Sequence, residues 1–214
     1  MSYQQDGSEN REKGLPLLFH VTISRLLSLI ALNLLYVAFC VPLVTVPAAS
    51  AALMKCVGLM LEEEDFSLFG TFFTAFKSDF LKTLAAGWLM LLLFAGAVFG
   101  ALFYWSAGSS LALVPSVFCA ILSMLLFAAL NNLLCMLAKV RLPFGALVKN
   151  AFLLLFIRPL RGVAASCVSF LILAACAWWF PRSIPVLLLI AFSLSALIAC
   201  FGARGALEKH VVKR

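Results

Sequence analysis

Val46–Leu61 reads VPAASAALMKCVGLML, and whether this stretch enters a membrane decides the architecture of the whole chain. It is apolar, dense in small residues and opens around Pro47, yet it carries one charge, Lys55. It also falls short of the ~20 residues that a membrane helix usually needs. The flanking sequence is plainer. Leu26–Val44 precedes it, and Thr83–Trp105, Leu111–Leu137, Gly162–Phe180 and Ile184–Ala203 follow, each without a charged residue. Open strands would leave backbone groups unpaired in lipid, and these runs lack the alternation of a barrel. They predict helices. Pro115 falls near the start of its run, where a missing N–H costs little.

The bulk composition agrees. Apolar residues make up 64% of the 214 and charged residues 12%, with a mean hydropathy of +1.11. A typical globular protein is about 45–50% apolar. A soluble fold of this size could not cover so much apolar surface. An ordinary soluble enzyme, a disulfide scaffold and a disordered chain are therefore excluded. The net charge of +7 reads as loops facing an anionic leaflet, and no basic groove interleaved with aromatics suggests nucleic acid.

Charge distribution then bears on Val46–Leu61. With five spans the termini lie on opposite sides, and Arg11, Lys13, Arg25 and Arg182 are outside. With six segments only Arg182 is outside and only Lys55 is within the membrane. The positive-inside rule favours six segments with both termini cytoplasmic. A re-entrant or surface-lying course for residues 46–61 is the alternative. The expected fold is an all-α polytopic transmembrane helical bundle. It has five full spans plus one short membrane segment, with amphipathic interfacial helices, in a single integral membrane domain, 1–214. The polar tail 1–13 lacks a basic n-region, and Ala49-Ser50-Ala51 lies beyond the ~15–30 residues of a signal peptide. The first apolar run is expected to be retained.

Two loops carry helical stripes. Phe69, Phe72, Phe73, Phe76 and Phe80 share one face, with Thr71, Thr74, Lys77, Ser78 and Lys82 off it. Phe144, Leu147, Val148, Ala151, Phe152 and Leu155 repeat the pattern. Both predict surface helices with their apolar faces in the acyl boundary. The acidic run Glu62–Asp65 is placed to favour the first helix's N-terminus. Phe69-Gly70 and Phe144-Gly145 recur at the same interval as Gly87 and Gly162. This suggests hairpin pseudo-repeats over 15–61, 66–137 and 142–205.

Polar residues within lipid are costly and therefore informative. They are Asn33, Lys55, Asn131 and Asn132. In the six-segment arrangement they fall at a similar depth, roughly 10–12 Å from one surface at ~1.5 Å per residue. They form either a polar ligand site or interhelical hydrogen bonds, and Lys55 could equally snorkel to the inner surface. No paired carboxylates occur within a span. Gly96 and Gly100 make a GxxxG pattern, and Trp88, Trp105, Trp178 and Trp179 fall at predicted span ends.

Catalytic chemistry is not visible. His20 has no evident Ser, Cys or Asp partner, and P-loop and dinucleotide turns are absent. The seven cysteines lie in apolar runs without a CxxC pair, so neither a metal site nor a cofactor is expected.

The residues Asn33-Leu34-Leu35, Pro47-Ala48-Ala49-Ser50-Ala51-Ala52-Leu53, Lys55, the acids Glu62–Asp65, Phe72 and Phe76-Lys77-Ser78-Asp79-Phe80-Leu81-Lys82 resemble the YesL-like family of bacterial integral membrane proteins of unknown function. The resemblance ends near Gly87. One departure is that Val41–Val46 has no glycine where family members often do. The resemblance implies a multi-pass protein of the bacterial inner membrane associated with carbohydrate transport. It supplies no catalytic residues. The expected role is accessory or regulatory and non-enzymatic. Partners would be the bilayer and a carbohydrate ABC-transporter permease or sensor kinase, docked on the surface helices and on Lys139, Arg141, Lys149, Arg158 and Arg161. The alternative is a small transporter or channel-like protein using the Asn33, Lys55, Asn131 and Asn132 level. Neither ligand nor oligomeric state is legible.

Overall fold

The computed structural model describes residues 15–62, 64–139, 144–157 and 159–207. Among them every regular element is helical. The order is α1 (Leu15–Ser24), α2 (Leu26–Cys40), α3 (Val46–Leu61), α4 (Leu68–Lys77), α5 (Phe80–Ser106), α6 (Ser110–Lys139), α7 (Phe144–Ile157) and α8 (Pro159–Trp178). A short α9 (Ile184–Val186) then runs through a π-helical turn, Leu187–Ala191, into α10 (Phe192–Leu207).

Four helical stretches are long and apolar enough to cross a membrane: Leu43–Leu61, Phe80–Ser106, Leu111–Lys139 and Ile184–Ala203. A fifth is reached if Leu18–Ser24 and Leu26–Cys40, bent by 80°, count as one span. The helix lengths differ in part from the sequence reading. Leu26–Val44 was expected as a full span, but α2 stops at Cys40, and its 15 residues give a rod of only about 22 Å. Val41 still has helical dihedrals, but Pro42 has no N–H to continue the ladder and turns extended (ψ 102°), and the Thr45 hydroxyl shares its proton between the carbonyls of Phe39 and Pro42. Gly162–Trp178 is likewise a shorter apolar helix. Residues 46–61 do not lie on the surface. They form the centre of the bundle.

Burial shows this directly. In Leu43–Leu61, 61% of the most apolar stretch is buried within the protein, against 22% for Phe80–Ser106 and 28% for Leu111–Lys139. α3 packs against α2, α4, α5, α6 and α10. Its small residues permit this, because Ala48, Ala49, Ala52, Cys56 and Val57 are all essentially inaccessible and leave neighbouring backbones free to approach. At Gly87 on α5, an added Cβ would lie 2.3 Å from Pro47 Cβ. Its sequence counterpart Gly162 has nothing within 4 Å of that position. Within the GxxxG pattern, Gly100 packs on Cys119 of α6, and Gly96 faces open space.

The apolar stripes behave differently from a helix floating at an interface. The expected stripe ran unbroken through Phe80. Instead α4 ends at Lys77, and Asp79 adopts a left-handed conformation (φ 48°) before α5 begins. Asp tolerates that conformation better than most residues. Phe80 and Lys82 therefore belong to α5. Phe72 is fully buried, and Phe39 of α2 packs its ring against Phe72, Phe73 and Phe76. Phe69 and Phe73 stay exposed. In α7, Leu147, Ala151, Leu154 and Leu155 are buried and the helix packs on α6.

The acids after α3 do not sit in the first turn of α4. Glu62 pairs with Lys139 at the end of α6, and Asp65 lies 3.6 Å from Arg25 at the α1–α2 bend. These contacts bring the bend, the end of α3 and the end of α6 to the same end of the molecule. Trp105, Trp178 and Trp179 are exposed at helix termini, whereas the Trp88 indole donates to the Val44 carbonyl.

Candidate functional site

The four intramembrane polar residues do not form one hydrogen-bonded cluster. Asn33 is fully buried and serves the π-helical turn. Its Nδ2 donates to the carbonyls of Leu187 and Leu188 at 2.7 Å each, and its Oδ1 accepts from the Ser193 amide at 2.9 Å. A π turn dislocates the regular i→i−4 ladder, and one side-chain amide satisfies the groups left over. Asn132 Nδ2 makes a long 3.5 Å contact with the Ala151 carbonyl of α7. Asn131 is buried and its Nδ2 has no hydrogen-bond partner among the described residues. Lys55 shares no hydrogen bond with these three among the described residues, and the cavity it lines includes none of them.

Lys55 lines an open-sided cavity of about 590 Å³ bounded by α3, the 64–67 segment, α4, the start of α5 and the end of α6. Such a volume lies within the ~300–1,000 Å³ of small-molecule sites. The wall is unlike the rest of the bundle, because Ser67, Thr71, Thr74, Ser78 and Thr83 place hydroxyls around two lysines, Lys55 and Lys139. Lys139 is compensated by Glu62, and its stem passes over Gly58, with Cε 3.7 Å from an added Cβ there. Asp79, the cavity's carboxylate, is held by Lys82 at 3.3 Å. Lys55 makes no ion pair among the described residues. The site therefore retains one uncompensated positive charge beside a set of hydroxyls.

Sequence reasoning singled out Lys55 and missed what surrounds it. Thr71, Thr74 and Ser78 were expected on a headgroup-facing side of α4. They line the cavity, because α4 lies against α3 with its phenylalanine stripe toward α2. Lys139, expected in a docking loop, belongs to the cavity too. The three-to-four spacing of Thr71, Thr74 and Ser78 was the signal that could have revealed a shared polar face. Ser67 and Thr83 gave no such signal. Lys149 and Lys77 are exposed. Arg141 and Arg158 lie outside the described residues, and the Arg161 side chain is not described. Among the described residues, no group of three His, Cys, Asp or Glu side chains could hold a metal ion. His20 has one neighbour unanticipated from sequence: Ser24, one turn on, with 3.5 Å between Nε2 and Oγ, both exposed.

These features define a helical protein of membrane-spanning composition with a polar cavity built around a buried helix. Residues 29–101 match a family described as "Protein of unknown function, DUF624". The match spans α3, α4 and most of α2 and α5, and so includes every cavity element except the end of α6. No curated protein and no solved structure matches the chain.

Proposed function

We propose that this chain is a non-enzymatic, multi-pass protein of the bacterial inner membrane that holds a small hydrophilic ligand in the Lys55 cavity. It serves as an accessory or regulatory subunit of a carbohydrate uptake or sensing system, with both termini cytoplasmic. The observation that carries the ligand site is an uncompensated lysine on the most buried helix, opening on a hydroxyl-lined space. An intramembrane charge is costly enough that such a residue is by default functional. The family resemblance supplies the carbohydrate association, and the exposed Lys77 and Lys149 offer docking points for a permease or sensor kinase.

Affinity purification after cross-linking in native membranes tests the accessory role. A permease or kinase recovered in stoichiometric amount is the expected result, and its repeated absence removes that role. Reporters fused at Glu62 and at Arg214 are both expected on the cytoplasmic side. A transport reading is less well supported, because Asn33 is already engaged by the π turn and is not free to line a path. Flux through reconstituted vesicles that falls in Lys55→Ala would reinstate it.

A further inference from the structure

We infer that the Lys55 cavity binds a phosphate group carrying a hydroxyl-bearing substituent, an assignment that rests on the cavity being a ligand site. Three independent features converge. First, Lys55 supplies a cation whose charge no described carboxylate neutralises, since Glu62 is taken by Lys139 and Asp79 by Lys82. Second, α4 begins at the wall. Ser67 precedes its first turn without a side-chain capping bond, and Ser67, Gly70 and Thr71 all line the cavity. The first backbone N–H groups of a helix lack internal partners and favour an anion; of the residues that carry them here Gly70 is the one at the wall, since the Thr71 amide already donates to the Ser67 carbonyl. Third, Thr83 lines the cavity and is only 4% exposed, and its hydroxyl is engaged in no side-chain hydrogen bond among the described residues, which leaves it available to the cavity.

The chemistry selects an anion with several acceptor oxygens. Lys55, the α4 terminus, Thr71 and Thr83 are all donors. A phosphate offers three or more acceptor oxygens in tetrahedral array, and lysine is a frequent partner for it. Thr74 differs, because its hydroxyl already donates to the Gly70 carbonyl at 2.8 Å. Its remaining capacity is as an acceptor, as is that of the Asp79 carboxylate. These groups suit the hydroxyls of a substituent, and a 590 Å³ space leaves ample room beyond the phosphate. Two sources share this chemistry: a soluble phosphorylated polyol, and the headgroup of an anionic phospholipid.

The full chain in phosphatidylcholine nanodiscs separates these outcomes when its thermal midpoint and calorimetric binding are followed. The probes are inorganic phosphate, glycerol phosphate and glycerol, with a parallel set of discs containing phosphatidylglycerol. Glycerol phosphate is expected to raise the midpoint, phosphate to do so less, and glycerol not at all. Lys55→Met should weaken glycerol phosphate binding at least tenfold and Thr83→Val several-fold, whereas Lys55→Arg should retain it. If Lys55→Met does not fold, Thr83→Val and Thr71→Ala carry the test. A midpoint raised only in phosphatidylglycerol discs, and lowered again by Thr83→Val, supports the assignment with the lipid as source. Glycerol binding as tightly as glycerol phosphate overturns the phosphate assignment and leaves the ligand cavity standing. A phosphate response unchanged in Lys55→Met and Thr83→Val overturns it as a salt effect. Silence from every probe in both discs overturns the assignment and the ligand cavity together.

Discussion

α3 and α5 are neighbours in the bundle and opposites in environment. α5 is 27 residues long and α3 is 16, yet the shorter helix is the one enclosed by protein. On α5, Leu92, Phe99, Leu102 and Phe103 face outward, as expected where lipid replaces water as the solvent. α3 turns alanines toward its neighbours and carries the lysine. A charge is tolerated on α3 because protein and a polar cavity surround it, and it would not be tolerated on the outer face of α5. High hydropathy thus identifies a helix's suitability for lipid. Small residues and stray polar groups identify the helix at the centre.

That comparison can be broken most severely at the interior. Asn33→Leu would leave two carbonyls of the π turn and the Ser193 amide at the start of α10 without their side-chain partner. A loss of about 3 kcal/mol is expected at roughly 1 kcal/mol per group, read as a fall in the unfolding midpoint in detergent. Retained stability would show that the π turn reverts to a regular helix. A matched pair on one helix comes next. Gly87→Val drives a side chain into Pro47 of α3 and should cost about 2 kcal/mol as overpacking, while Gly96→Val, which meets nothing within 4 Å, should stay within about 0.5 kcal/mol. Equal effects at the two sites would remove the distinction between the inner and outer faces of α5.

Smaller effects sharpen the picture at the charged end. Lys139→Met strands Glu62, whose side chain is 28% exposed, and should cost about 1 kcal/mol. The double variant Lys139→Met with Glu62→Gln should recover part of that loss, which a double-mutant cycle measures directly. Arg25→Ala is expected to change the midpoint least. Its partner Asp65 is fully solvated, and exposed ion pairs contribute little.

Much of the fold was legible because hydropathy and helical spacing are local properties. The apolar runs, the stripes of α4 and α7 and the start of α3 around Pro47 could all be read residue by residue. What was misread depended on partners. A phenylalanine stripe gives the same spacing whether it meets lipid or Phe39. The acids Glu62 and Asp65 could as well have served a helix terminus as Lys139 and Arg25. Asn33, Asn131 and Asn132 matched in depth along their helices, but depth says nothing of azimuth: the amides of Asn33 and Asn132 turned toward different neighbours, and the Asn131 Nδ2 found none among the described residues. The π turn has no sequence signature comparable to that of a proline or glycine break.

By itself, then, the sequence determined a lipid solvent, a helical chain and an isolated lysine in an apolar run, because each follows from composition and period. Only the tertiary structure decided that the short helix α3 is the central one. Only it gathered Thr71, Thr74, Ser78, Thr83 and Lys139 around Lys55, because a cavity is a property of several helices at once and of none of them alone.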